Sequence, residues 1–158
     1  MKRGAKMRCA IAAIICFWGW QAMAADGLIT LRSRFSPVET MERMEAAVRA
    51  NGLTVFAHLN HAAGAAAIDV PLRPTDLLIF GNAKGGTPLM QAAQTIGIDL
   101  PLKALVWQDE AGQTWLSYND PAWTAKRHDL GRNADPVIAA MLAVLGELAE
   151  AATSRSHR

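Results

Sequence analysis

Residues 102–118 read LKALVWQDEAGQTWLSY, and this stretch gives the clearest indication of the fold. Two runs in it, Leu102 to Gln108 and Thr114 to Tyr118, are rich in aliphatic and aromatic residues, which is typical of strands. The residues between them, Asp109 to Gln113, include a glycine, and their number fits a hairpin loop. The stretch therefore predicts two antiparallel neighbouring strands, against which the other elements pack.

Three more strands are predicted before the hairpin. They lie over Gly27 to Phe35, Leu53 to Leu59 and Asp76 to Phe80, where apolar runs are bounded by turn residues. An alanine-rich connection, residues 60–67, follows the second strand and could be a short helix, although its glycine disfavours one.

A first helix is predicted by a complete set of start and stop signals. Ser36 supplies a cap, Pro37 suits the first helical position, and Glu39 completes a capping box. Asn51 and Gly52 end the helix by allowing a left-handed residue. We expect an apolar stripe on one face and two ion pairs on the other: Val38, Met41, Met44 and Val48 for the stripe, Glu39 with Arg43 and Glu45 with Arg49 for the pairs.

A second helix is expected to begin at Thr87 and Pro88, which follow a flexible glycine-rich loop, Gly81 to Gly86, and to run to Gly97. After the hairpin, Asp120 and Pro121 make a turn into a short segment that carries Trp123 and could be helical.

The last helix is predicted to be capped by Asp135 and Pro136. Its apolar residues spread around most of the circumference: Val137, Ile138, Met141, Leu142, Val144, Leu145 and Leu148. Such a helix is either sandwiched in the core or partly covered by a partner subunit. The element order is strand, helix, strand, strand, helix, strand, strand, helix, which predicts an α+β fold, a two-layer sandwich.

The N-terminus has the pattern of a cleaved signal peptide over residues 1–24. A basic start is followed by the apolar run Cys9 to Trp20, and Ala22 and Ala24 provide small residues at a cleavage site. The run is too short for a membrane anchor, which needs about 20 apolar residues. Ile15 before Cys16 disfavours lipidation, and without an Arg-Arg pair the general export route is favoured. We therefore expect a periplasmic or secreted protein.

Removal of the leader changes the charge and the chemistry of the chain. The mature protein keeps 12 of 16 Lys and Arg against 14 Asp and Glu, a formal net charge of −2. Nothing then favours nucleic-acid binding, and no membrane contact is expected after cleavage. Both cysteines, Cys9 and Cys16, leave with the leader, which excludes disulfides and cysteine nucleophiles. The remainder suits a single domain over 25–152 with a frayed polar tail over 153–158.

Three motifs in order resemble the domain-of-unknown-function 302 family. They are Ile79 to Met90, Asp99 to Lys103 with Val106-Trp107, and Tyr118 to Pro121; His61-Ala62-Ala63 is a weaker match upstream. The resemblance covers nearly all of residues 27–152. It implies a curved, mainly antiparallel sheet of about five strands backed by helices, often in a dimer, and it brings no assigned activity. The family usually has proline where this chain has Ala83, which loosens the loop.

The strongest candidate site is the loop from Gly81 to Thr87. It leads into a helix N-terminus, where free N–H groups and the helix dipole favour an anion, and Lys84 and Thr87 could add to it. The alternative is that the glycines serve turn geometry and Thr87 only caps its helix. If the sheet is antiparallel, six polar residues share one rim of it: Asn82, Lys84, Asp99, Tyr118, Asn119 and Asp120. If Thr87 to Gly97 is instead a parallel crossover, Tyr118 to Asp120 fall at the far end of the sheet.

The other candidates are weaker. His58 and His61 could bind metal together with Met41 and Met44, but residues three apart on a strand point to opposite faces, and the methionines fit the core. His128 lies between charged residues and is expected to be solvated. The tryptophans at and after the hairpin could line a ligand pocket, or belong to the core: Trp107, Trp115 and Trp123.

The preferred function is therefore a non-enzymatic exported domain, a homodimer, that binds a small anionic or apolar ligand or a protein partner. One alternative is an enzyme for a small anionic substrate, with Lys84 as a clamp and Asp120 or His61 as the acid or base. The other is a periplasmic metal carrier. The sequence does not identify a cofactor. The expected contacts are Asn82, Lys84, Thr87, Tyr118, Asn119, Asp120 and His61.

Overall fold

A computed structural model describes residues 26–154, and its centre is a single antiparallel sheet of five strands in the order β1-β5-β4-β3-β2. The strands are β1 Leu28–Arg32, β2 Thr54–Asn60, β3 Thr75–Gly81, β4 Leu102–Gln108 and β5 Thr114–Asn119. The helices are α1 Pro37–Ala50, α2 His61–Ala66, α3 Ala83–Ala92, α4 Pro121–Arg127 and α5 Asp135–Thr153, with 3₁₀ turns at Gln94–Ile98 and Arg132–Ala134. The predicted α+β sandwich is confirmed. The predicted signal peptide lies outside the described residues.

The central hairpin forms as the sequence predicts. Trp107 pairs with Trp115, and Ala104 pairs with Tyr118, so β4 and β5 are antiparallel neighbours. The loop is closed by Asp109, whose carboxylate accepts hydrogen bonds from the Gln113 N–H (2.8 Å) and the Trp115 indole (2.7 Å). The turn is therefore stabilised by groups within a few residues of one another.

One face of the sheet carries the core. Alternate strand residues point toward α1 and α5, because successive side chains of a strand lie on opposite faces. The core is built from both layers: Met41, Met44, Val48, Leu78, Phe80, Ala104, Val106, Leu116, Leu145 and Leu148. On the opposite face, Trp107 and Trp115 stack with 6.1 Å between ring centroids, and the Trp107 indole donates to the Ser117 hydroxyl.

Helix α1 follows its sequence signals except at two positions. The Ser36 hydroxyl accepts a hydrogen bond from the Glu39 N–H at 3.2 Å, and the helix ends at Ala50 as predicted. Val38 was wrongly included in the apolar stripe, since it is 68% exposed in the first turn. Within the described residues Arg43 does not pair with Glu39; its guanidinium lies over the Phe35 ring and donates to the Ala151 carbonyl.

Helix α3 corrects the largest error of the sequence analysis. The predicted flexible loop is the first turn of this helix, which starts at Ala83 with Asn82 as its cap rather than at Thr87. Thr87 and Pro88 lie inside the helix, where Pro88 has no N–H to donate to the Lys84 carbonyl. The helix ends at Ala92, and the extended residue Ala93 separates it from the 3₁₀ turn Gln94–Ile98. The glycines predicted a loop and Pro88 predicted the helix start from local propensity, but buried packing of Leu89 overrides both.

Helix α5 uses its wide apolar surface in two ways. One stripe, which includes Leu145 and Leu148, enters the core, and a second, which includes Val137 and Val144, lines a groove described below. The helix starts after Ala134 without a side-chain cap, so the predicted cap at Asp135 is wrong. By length and composition alone, Arg132–Thr153 could cross a membrane (mean hydropathy 1.5), a test that core helices also pass.

The end of α5 is held by the N-terminal half of the chain. Thr153, predicted as the start of a frayed tail, is buried, and its carbonyl accepts a hydrogen bond from the Arg34 N–H at 3.1 Å. The Ser154 carbonyl accepts from the Arg43 guanidinium. The ordered packing therefore includes both residues, and the rest of the predicted tail lies outside the described residues.

Candidate functional site

A groove of about 700 Å³ opens at one end of the sheet, which we call the groove end. Its volume lies within the roughly 300–1,000 Å³ that small-molecule sites occupy. Helix α3, the first half of α5 and the start of β2 form its walls. Most lining residues are apolar, including Leu53, Phe56, Met90, Leu100, Pro101, Leu102, Val137, Ala140, Met141 and Val144.

The antiparallel sheet places the predicted rim at this end. Phe80 pairs with Leu102, and Ala104 pairs with Tyr118, so the end of β3, the start of β4 and the end of β5 lie side by side. The alternative parallel crossover is therefore excluded. The rim residues nevertheless do not share one cavity, as the following placements show.

Three of the predicted contacts line the groove: Asn82, Lys84 and Thr87. The Asn82 side-chain oxygen is already engaged, since it accepts a hydrogen bond from the Gly85 N–H at 2.8 Å. Lys84 lies in the first turn of α3, is exposed, and has no ion-pair partner among residues 26–154. Lys84 is therefore the predicted residue with the clearest capacity to bind a ligand.

The residues that end β5 serve other purposes. Tyr118 is 7% exposed, and burial, followed by the nearby Asp120 carboxylate, raises the pKa of its phenol. Asp120 caps α4 by accepting from the Ala122 N–H at 2.8 Å. Asn119 lines a separate cavity of about 20 Å³, with room for about one water. None of these three lines the groove.

His61 lies away from the groove. Strand β2 begins at Thr54, which pairs with Gly81, and ends at Asn60, which pairs with Asp76; His61 follows Asn60. It therefore stands at the other end of the sheet from Lys84. His58 is hydrogen-bonded to Asp76 at 3.1 Å. Within residues 26–154, no three His, Cys, Asp or Glu side chains are grouped as a metal site.

His128 was wrongly expected to be solvated. Its side chain is 8% exposed; its Nε2 lies 2.6 Å from the Asp99 carboxylate and its Nδ1 lies 3.0 Å from the Thr95 hydroxyl. Arg127 pairs with the same carboxylate at 3.0 Å. This cluster ties α4 to the 3₁₀ turn behind the groove. Sequence analysis missed it because the histidine and the aspartate lie 29 residues apart without a motif.

Lys103 contrasts with Lys84. Its ammonium group donates to the carbonyls of Asp99 and Pro101, each at 2.9 Å. Burial lowers the pKa of Lys103, an effect that the Asp99 charge opposes. Lys103 is therefore a partly buried structural cation, whereas Lys84 is exposed at the groove and has no ion-pair partner in the described part of the chain.

The tryptophans do not line the groove. Trp107 and Trp115 stack on the opposite face of the sheet from the core. Trp123 lies beside Gly27, where its ring occupies the space that a β-carbon would need, and under the Arg127 guanidinium. The prediction of an aromatic pocket does not apply to this groove.

Comparison with known proteins adds family and fold. A family model described as "Domain of unknown function DUF302" matches residues 29–148. Two curated relatives are each 49% identical over 121 residues, 77% of this chain: Fluoride-specific ion channel FluC 1 of Brucella suis biovar 1 (strain 1330) and Fluoride-specific ion channel FluC 2 of Brucella melitensis biotype 1 (strain ATCC 23456 / CCUG 17765 / NCTC 10094 / 16M). The chain spans about half the length of these relatives, 48% and 45%.

A solved structure shares the fold. The crystal structure of an uncharacterized conserved protein DUF302 from Bacillus stearothermophilus superposes with a TM-score of 0.72, covering 81% of this chain and 99% of that chain. The two sequences are 18% identical, so the likeness concerns architecture alone.

Proposed function

Since the chain belongs to the DUF302 family, whose description assigns no activity, we propose a function from the site itself: the domain binds a small, largely apolar ligand in the groove. The observation that carries the proposal is the groove of about 700 Å³ with its apolar walls. Burial of apolar ligand surface against such walls provides the main driving force for binding.

Binding without catalysis is the better match to the lining. A general acid or base must lie within hydrogen-bond reach of the substrate. Within the described range, 26–154, the residues that line the groove include neither a histidine nor a carboxylate. Asp120, the acid or base of the alternative enzyme, is engaged as the cap of α4, and His61 stands at the other end of the sheet.

The relatives' name raises fluoride as a second candidate ligand. That name describes proteins about twice as long as the matched stretch. A small, strongly hydrated anion gains little from apolar walls, because losing its water is costly. We therefore propose that fluoride is not the ligand of this groove.

Export and self-association complete the proposal. We propose that the protein acts in the periplasm or outside the cell, on the strength of the N-terminal signal pattern. We also propose that it is a homodimer, because apolar residues spread around most of the circumference of α5. Protein detected in the periplasmic fraction with Ala25 as its N-terminus would support export. Light scattering of the purified protein measures the oligomeric state directly.

Replacement of two alanines on α5 by phenylalanine, one at a time, tests whether the groove binds the ligand. Ala140 lines it, whereas Ala143 is exposed on the same helix outside the lining. We expect Ala140→Phe to weaken binding of the neutral dye Nile red about tenfold, because the ring would take up part of the space between the walls and a drug-sized ligand needs most of its surface buried. Ala143→Phe should leave the affinity unchanged. Equal affinities in both variants would exclude the groove as the binding site, and sodium fluoride should not displace the dye.

A further inference from the structure

The groove has an asymmetric distribution of charge. Among residues 26–154, Lys84 is the one ionisable side chain that lines the groove; the other polar side chains of these residues in the lining are Asn82 and Thr87. This part of the chain therefore offers a ligand one positive group and apolar surface, and it contributes no carboxylate that would compensate the charge. A ligand that uses both features has an apolar body and a negative end.

The position of Lys84 fixes where that negative end would lie. Lys84 belongs to the first turn of α3, a helix of 10 residues, so the positive end of the helix dipole adds to the ammonium charge. Its lack of an ion-pair partner among the described residues leaves the ammonium group available, in contrast to Lys103, which is engaged by two carbonyls.

We infer that the groove takes a single-chain amphipathic anion, such as a medium-chain carboxylate, with its chain along Met90, Met141 and Val144 and its head group at Lys84. The inference rests on the proposed function, since it names the ligand class of the same groove. It also explains why a lysine, with a compact charge on an apolar stem, suits the mouth of an apolar site.

A matched series of ligands tests the charge separately from the groove. Decanoate, decanol and decyltrimethylammonium share a chain length and differ in head-group charge; each is used below its micelle concentration to displace Nile red. We expect decanoate to bind about 3- to 10-fold more tightly than decanol, a range set by the modest strength of exposed charge pairs. Decyltrimethylammonium should bind most weakly.

Variants of Lys84 locate the effect. Lys84→Gln should remove the preference for decanoate, and Lys84→Glu should reverse it toward the cation. Lys126→Gln, at an exposed position on α4 outside the groove, changes the net charge equally and should leave the preference intact. An unchanged preference in Lys84→Gln would overturn the inference.

The remaining outcomes are also decisive. If the three ligands bind the native protein equally and Ala140→Phe abolishes binding, the groove stands and the anionic class is wrong. If neither the dye nor any ligand of the series binds, both the proposed function and the inference that rests on it are wrong. Displacement by acetate alone would show a simple anion site. Co-sedimentation with phosphatidylglycerol vesicles, but no binding of decanoate, would show a membrane surface instead; either result would overturn the inference.

Discussion

The two ends of the sheet are stabilised in different ways. At the hairpin end, polar groups close the turn: Asp109 binds Gln113 and Trp115, and the Gln113 amide donates to the Ser33 and Thr114 carbonyls at 2.8 Å. At the groove end, the first turn of α3 depends on Asn82 and on apolar contacts with distant residues. Local hydrogen bonds therefore stabilise the hairpin end, whereas tertiary packing must stabilise the groove end around an open groove.

We expect the greatest loss of stability when a buried leucine at either end of the sheet is replaced by alanine. Leu116 and Leu89 are both 1% exposed or less. We expect each Leu→Ala variant to lower the free energy of unfolding by about 2–5 kcal/mol, since each leaves a cavity. Only Leu89→Ala should also weaken ligand binding, because Leu89 anchors the helix that carries Lys84. Urea denaturation and dye titration measure the two effects; equal loss of affinity in both variants would contradict the comparison.

Alanine at two glycines should have opposite effects at the two ends. Gly112 has φ +77 in the hairpin loop, where an L residue is strained, so Gly112→Ala should destabilise the protein by about 1–2 kcal/mol. Gly86 lies within α3, and a β-carbon there would make ordinary contacts, 3.6 Å to Leu100 and 3.8 Å to Met90. Gly86→Ala should therefore stabilise by about 0.5–1 kcal/mol. Thermal unfolding gives both signs, and a destabilised Gly86→Ala would mean that α3 is already crowded.

The two helix caps should contribute similarly to overall stability. Ser36 and Asn82 each accept a hydrogen bond from a backbone N–H three residues later. Replacement of either by alanine should lower the free energy of unfolding by about 1 kcal/mol. Asn82→Ala should in addition speed amide hydrogen exchange in α3, because this helix has the weaker propensity. Exchange rates in α1 of Ser36→Ala serve as the reference, and faster exchange there than in α3 would reverse our ranking of the two ends.

The smallest effect that we expect is a change in the pH dependence of stability under acidic conditions. The hydrogen bond from the Trp115 indole, as the main cause, lowers the pKa of Asp109 below its usual 3.8. A lowered carboxylate pKa contributes stability that is present above the ordinary value and is lost as the pH falls through the folded value. Trp115→Phe should therefore flatten the stability profile below about pH 4. Chemical denaturation from pH 2 to pH 6 measures how the free energy of unfolding depends on pH. Identical slopes in the native protein and in Trp115→Phe would show that this hydrogen bond does not contribute to the pH dependence.

Prediction from the sequence succeeded at the hairpin end for a physical reason. The loop around Gly112, the cap at Ser36 and the apolar run of β4 depend on residues close in the chain, so their signals are local. At the groove end the same rules gave a loop where the first turn of α3 lies and a helix start four residues too late, because local residue preferences carry no information on packing. Lys84 was identified as a candidate, but the apolar walls contributed by Phe56 and α5 were not, since no motif links them.

The wall of the groove includes residues that also face the small cavity beside Asn119. Leu100, Leu102 and Met141 line both spaces and separate them. Methionine is unbranched and adapts its shape easily, so changes at Met141 could merge or divide the two cavities without altering the sheet. A substitution at this one position would therefore change the volume of the groove and leave the five-stranded scaffold as it is.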